Sequence, residues 1–115
     1  MSISWGKSRR ISFAGAWKLG DWSAPEIPAV YAITYKQDPS ARPKFHTVLF
    51  FGESNNLAEL GLPWNHERSG SWIENAGSKE HLFIFVHPLP GATQSERWRL
   101  HEQLVSEYRP VCNAL

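Results

Sequence analysis

The sequence predicts an α+β fold, a small, mainly antiparallel three-stranded sheet flanked by helices. Three observations predict it. The runs "AVYAITYK" (29–36) and "HTVLFFG" (46–52) are rich in β-branched and aromatic residues and are separated by a polar stretch with two prolines. A third run, "HLFIFVH" (81–87), is apolar without alternation, as expected of a strand buried on both faces. "TQSERWRLHEQLVSEY" (93–108) opens on Thr93 with Glu96 three residues later and is followed by Pro110, which makes it a capped, long helix.

Taken in order, "SISW" and "RISF" alternate polar and apolar residues around "GKSR", the pattern of a short hairpin or an extra strand. Gly15, Gly20, Pro25 and Pro28 then interrupt the chain, so residues 1–24 read as a lead-in to a domain over 25–115. The strands at 29–36 and 46–52 should pair antiparallel across an extended loop, 37–45. "SNNLAEL" (54–60) predicts a helix of two turns, capped by Ser54 or Asn55, with Leu57 and Leu60 inward and Gly61 and Pro63 stopping it. "SWIENAG" (71–77) predicts a second short helix, ended by Gly77.

A chain of 115 residues, 42% hydrophobic and 20% charged, suits one globular core. No apolar run is long enough to span a bilayer, and "MSISWGKSRR" lacks the apolar centre of a signal peptide. Cys112 is the one cysteine, which leaves no internal disulfide and fits a reducing, cytoplasmic setting. The net charge of +1 means that any basic footprint for nucleic acid is local. Lys7, Arg9 and Arg10 form one cluster, and Arg97, Arg99 and Arg109 lie along the C-terminal segment. The six tryptophans are read as core or its margins before they are read as base-stacking platforms.

On a helical projection of 93–108, Trp98, Leu104, Val105 and Tyr108 define an apolar stripe. His101 falls near its middle, Glu102 at its edge beside Trp98, and Arg99 further out. A histidine in that position is either a hydrogen-bonded core residue or a polar group laid into a cleft over the sheet.

"PAVYAI", "LFFGESNNL" and "LVSEYRPVCN", in that order and on those elements, resemble the GIY-YIG nuclease superfamily over residues 25–113. The resemblance implies a hydrolase that cuts a DNA strand with a divalent metal, Mg²⁺ or Mn²⁺, which prefers oxygen ligands and helps to generate hydroxide. It implies tyrosines on adjacent strands, an arginine that stabilises the phosphoryl charge, a glutamate on the long helix that holds the metal, and a supporting asparagine near the end of the domain.

Position by position, Tyr31 matches the first tyrosine and Asn113 the asparagine, whereas Phe50 replaces the second tyrosine. The arginine position falls near Leu60, and the glutamate position on His101, or on Glu102 if shifted by one. Arg68 and His66, in "WNHERSG", are the candidates to replace the arginine and to act as base. The catalytic expectation is therefore Tyr31, His66, Arg68, Glu102 and Asn113, with His101 or Glu102 at the metal and Lys7, Arg9, Arg10, Arg68 and Arg99 on nucleic acid. The alternative is a descendant that has lost the chemistry, needs no cofactor, and uses the old cleft to bind nucleic acid or a protein partner.

Overall fold

The computed structural model describes residues 2–36 and 46–113, so the loop expected at 37–45 lies outside the described residues. Five strands form one sheet: β1 (Ser2–Trp5), β2 (Ile11–Lys18), β3 (Ala29–Tyr35), β4 (Thr47–Ser54) and β5 (Leu82–Pro88). Their order across the sheet is β1-β2-β5-β3-β4, and every neighbouring pair is antiparallel.

The sheet thus has five strands where the sequence predicted three. The hairpin read in "SISW" and "RISF" is real, with Ser2 opposite Ala14 and Trp5 opposite Ile11. Its second strand runs on to Lys18 and pairs with β5, placing Ala14 opposite Val86 and Lys18 opposite Phe83. The physical reason lies in β5. A strand that is apolar on both faces sits in the middle of a sheet, and β3 covers only one of its edges. The lead-in supplies the other edge.

Side-chain alternation along the strands divides the core into two layers. On one face Tyr31, Ile33, Phe50, Ile84 and Val86 pack with Leu57, Trp72, Ala76 and Cys112. On the other, Phe13, Val30, Ala32, Phe51 and Phe85 pack with Trp5, Leu100 and Leu104. The first face is covered by α1 (Ser69–Ala76), which ends where Gly77 adopts φ 84°. The second is covered by α2 (Gln94–Tyr108), whose capping box is complete: Glu96 N–H donates to Thr93 Oγ1 and Thr93 N–H donates to Glu96 Oε1.

Two helical expectations change. Over 54–60 there is only a 3₁₀ turn, Leu57–Glu59, capped by Asn56. Ser54 still belongs to β4, and its hydroxyl folds back on the Asn56 backbone, so too few residues remain before Gly61 for an α-helix. The inward stripe of α2 is Arg97, Leu100 and Leu104, and Trp98 is 53% exposed. The helix is rolled away from the apolar stripe because Arg97 turns inward to meet Glu53, its Nε lying 3.5 Å from Glu53 Oε1.

Candidate functional site

Tyr31 on β3 stands opposite Gly52 on β4. A Cβ at Gly52 would collide with Cζ and Oη of Tyr31, so the tyrosine ring occupies the space a side chain would need. Gly52 lies inside the strand and makes room for the ring. Phe50 packs beside Tyr31 with ring centroids 6.1 Å apart.

The segment 61–68 delivers two further polar residues to this face. Ser69 fastens it, its hydroxyl meeting the carbonyls of Trp64 and His66 at 2.9 and 2.8 Å. The His66 ring lies between Phe50 and Trp72, at 5.7 and 4.7 Å. Its Nε2 is 3.2 Å from Tyr31 Oη, and its Nδ1 accepts from the Arg68 N–H at 3.0 Å. A nitrogen that accepts from a backbone N–H carries no proton, so in the neutral ring the proton sits on Nε2 and points at the phenol oxygen. Burial holds the His66 pKa below its ordinary value, with Arg68 adding to the effect and Glu67 opposing it. Burial, then the charges of Glu53 and Glu67, raise the Tyr31 pKa. Both groups are therefore neutral at pH 7, and in their contact the His66 Nε2–H donates and the Tyr31 oxygen accepts.

Arg68 Nη1 donates to the Cys112 carbonyl at 2.6 Å, and its guanidinium centre lies 6.0 Å from the Phe50 ring. Tyr31 is only 1% exposed, whereas His66 and Arg68 are partly exposed. An incoming ligand would thus meet His66 and Arg68 first, with Tyr31 behind them.

Asn113 acts at the free edge of the sheet. Phe51 N–H donates to Asn113 Oδ1 at 2.8 Å, and Asn113 Nδ2 donates to the Phe51 carbonyl at 2.9 Å. One carboxamide thereby satisfies both outward-facing backbone groups of an edge residue, as a sixth strand would. His101 Nε2 meets the same carbonyl at 3.0 Å. His101 points at the sheet as the helical projection predicted, but it is spent on the backbone of β4.

This bears on the metal. With Nε2 bonded to Phe51, only Nδ1 of His101 is left, and that atom is buried without a hydrogen-bond partner, 3.3 Å from Glu102 Oε1. A hard divalent ion keeps several waters and needs oxygen ligands around it, and an enclosed imidazole nitrogen leaves no room for them. Among the described residues no group of three His, Cys, Asp or Glu could hold a metal ion. His101 and Glu102 do not fit Mg²⁺ or Mn²⁺. They also stand on the α2 side of the sheet, across its edge from the Tyr31 layer.

The expected nucleic-acid contacts divide in the same way. Arg9, Arg10 and Arg99 line one groove between the hairpin and α2. Lys7 is elsewhere, its ammonium 5.5 Å from the Tyr108 ring, and Arg68 is on the α1 side. The structure therefore joins Tyr31, His66 and Arg68 in one cluster, His101 and Asn113 at one carbonyl, and three arginines in one groove. It does not gather the expected catalytic residues in one cleft.

Three polar residues take places that the sequence did not show. Glu53 and Arg97 form the inward ion pair, and His87 lines the arginine groove. Glu53 directly follows Gly52 on an alternating strand, which was a usable signal; Arg97 on an inward helical position was not. The chain matches no family model, no curated protein and no solved structure.

Proposed function

We propose that this chain is a nucleic-acid-binding domain with a GIY-YIG-like core, holding a backbone phosphate, in the first instance of DNA, at Arg68 and His66. One observation carries the reading: Tyr31 Oη and His66 Nε2, 35 residues apart in sequence, meet at 3.2 Å beside Arg68. A guanidinium is a good phosphate partner because its planar fork of donors matches two oxygens at once. Tyr31 supports the ring of His66 from below, and Phe50 and Trp72 hold it in place.

The state of His66 favours binding over cutting. To activate water, an imidazole needs a free lone pair. In His66 one nitrogen accepts from Arg68 N–H and the other carries the proton toward Tyr31. The ring is committed at both ends, and the second tyrosine of the resemblance is Phe50.

Gel retardation of a short duplex at several salt concentrations tests this. The expected outcome is salt-sensitive retention that Arg68→Ala weakens by about tenfold, with a salt slope smaller by about one phosphate contact. No retention of DNA or RNA overturns the reading and leaves a protein partner as the alternative. Nicking of supercoiled plasmid in Mg²⁺ or Mn²⁺, abolished by His66→Ala, overturns binding alone in favour of a rearranged hydrolytic site.

A further inference from the structure

The arginine groove lies away from the Arg68–His66 cluster, on the α2 side of the sheet. It has a volume of about 310 Å³ and is walled by the turn of the β1–β2 hairpin, the end of β5 and α2. That is the size of a small-molecule site rather than of a duplex track. Three arginines, Arg9, Arg10 and Arg99, line it, and Arg10 Nη1 also donates to the Gly6 carbonyl at 3.5 Å. Among the described residues none of the three forms an ion pair with a carboxylate. Glu96 is the one acidic residue in the lining, and its carboxylate is committed to the Thr93 backbone at the start of α2.

The rest of the lining is of another kind. Ile11, Leu89 and Leu100 give it an apolar side. His87 Nδ1 is 2.7 Å from the Ser12 carbonyl, so Nδ1 carries the proton and Nε2 is the ring's acceptor. The mouth is built on a braced frame. Glu107 on α2 accepts from Lys7 N–H, Ser8 N–H and the Ser8 hydroxyl, and Gln103 Nε2 donates to the Arg9 carbonyl at 3.1 Å. The hairpin turn that carries Arg9 and Arg10 is therefore fixed against the helix that carries Arg99.

We propose that this groove binds one nucleotide unit, free or at the 5′ end of a strand. The phosphate monoester faces the three arginines, and the sugar and base lie over the apolar side near His87. A terminal phosphate offers three oxygens and up to two charges, which suits three arginines facing a single carboxylate, Glu96, whose charge Arg99 already feels, better than an internal phosphodiester does. The site does not depend on the reading of Arg68 and His66.

Isothermal titration with a nucleoside 5′-monophosphate, its nucleoside and inorganic phosphate tests it. The monophosphate is expected to bind saturably, with a Kd below about 1 mM. The bare nucleoside is expected not to bind, and phosphate to bind more weakly. Arg9→Ala with Arg99→Ala should weaken binding by about tenfold or more, and Arg68→Ala should leave it unchanged. No saturation by the monophosphate, equal binding of the nucleoside, or an unaffected double variant overturns the proposal. Should the double variant not fold, amide shifts in the wild type decide: changes at Ser12 and Gln103 support the groove, and changes confined to residues near His66 overturn it. Competition by a 5′-phosphorylated oligonucleotide, but not by its unphosphorylated form, supports a strand end as the ligand; its absence supports the free nucleotide. Duplex retention lost in Arg68→Ala with mononucleotide binding intact separates this site from the other.

Discussion

Tyr31 and Gly52 face each other across the β3–β4 ladder, and the ring of one fills the space that a side chain on the other would take. Gly52→Ala should therefore cost about 1–3 kcal/mol, as overpacking in a filled core does. In urea denaturation, the same substitution made in a Tyr31→Ala background should cost far less. Equal costs in the two backgrounds would show that the ring is not what Gly52 accommodates.

Tyr31→Phe removes only the hydroxyl that meets His66. The expected loss of stability is about 1 kcal/mol. The native His66 ring would lose its Nε2 partner while keeping the Arg68 contact, so ¹⁵N shifts of the imidazole should move at Nε2 and stay at Nδ1. A change at Nδ1 alone would refute the assigned tautomer.

Asn113→Ala strips a donor and an acceptor from the edge of β4 in one step. A loss of about 1–3 kcal/mol is expected, together with faster hydrogen exchange at the Phe51 amide. Asn113→Asp should fare no better, because a carboxylate would face the Phe51 carbonyl in place of a donor. Unchanged exchange at Phe51 would contradict the clamp.

Glu53 and Arg97 are both nearly enclosed, and neither Glu53 Oε1 nor Arg97 Nε has a hydrogen-bond partner. Arg97→Leu alone strands a buried carboxylate, at an expected cost of about 3 kcal/mol. Replacing both with leucine should recover most of that loss, and a thermal-melting series of the two single variants and the double would show it. A double variant as unstable as the sum of the singles would mean that the pair is not coupled.

Stability should fall on acidification in two windows. Burial, with the charge of Lys36, lowers the His46 pKa to about 4. The unfolded ring takes its proton near pH 6.5, so the unfolded state binds protons first and stability drops between about pH 6.5 and 4. Glu107, held at about 2 by its bonds to Lys7 and Ser8, behaves as a depressed carboxylate. Its contribution is present above its unfolded pKa of about 4.3 and lost as pH falls toward 2. An NMR titration placing His46 near 6.5, or a Glu107→Gln variant with unchanged acid sensitivity, would count against these assignments.

Much of the architecture could be read from local pattern. The long helix carried its own boundary in Thr93 and Glu96, and Gly77 marked the end of α1, because capping is decided by residues within one turn. The hairpin in residues 2–18 was visible in its alternation, but its membership of the sheet was not. Strand pairing between Ala14 and Val86 spans most of the chain and leaves no local trace. The same holds for the turn at 57–59, where Ser54 stays with β4 and leaves a shorter segment for the turn.

The candidate site shows the same division. Tyr31, His66, Arg68, His101, Asn113 and the basic residues were all named from the sequence as polar candidates. Where they act depends on which face of a five-stranded sheet each one occupies, and a shift of one residue along a strand reverses that face. The sequence by itself determined the strands at 29–36, 46–52 and 81–87, the hairpin before them and the helix capped by Thr93, because these arise from propensities and contacts within a few positions. The tertiary structure alone decided that His101 serves the Phe51 carbonyl, that Tyr31 meets His66, and that Arg9, Arg10 and Arg99 share one groove. Those relationships join segments tens of residues apart, and only packing brings them together.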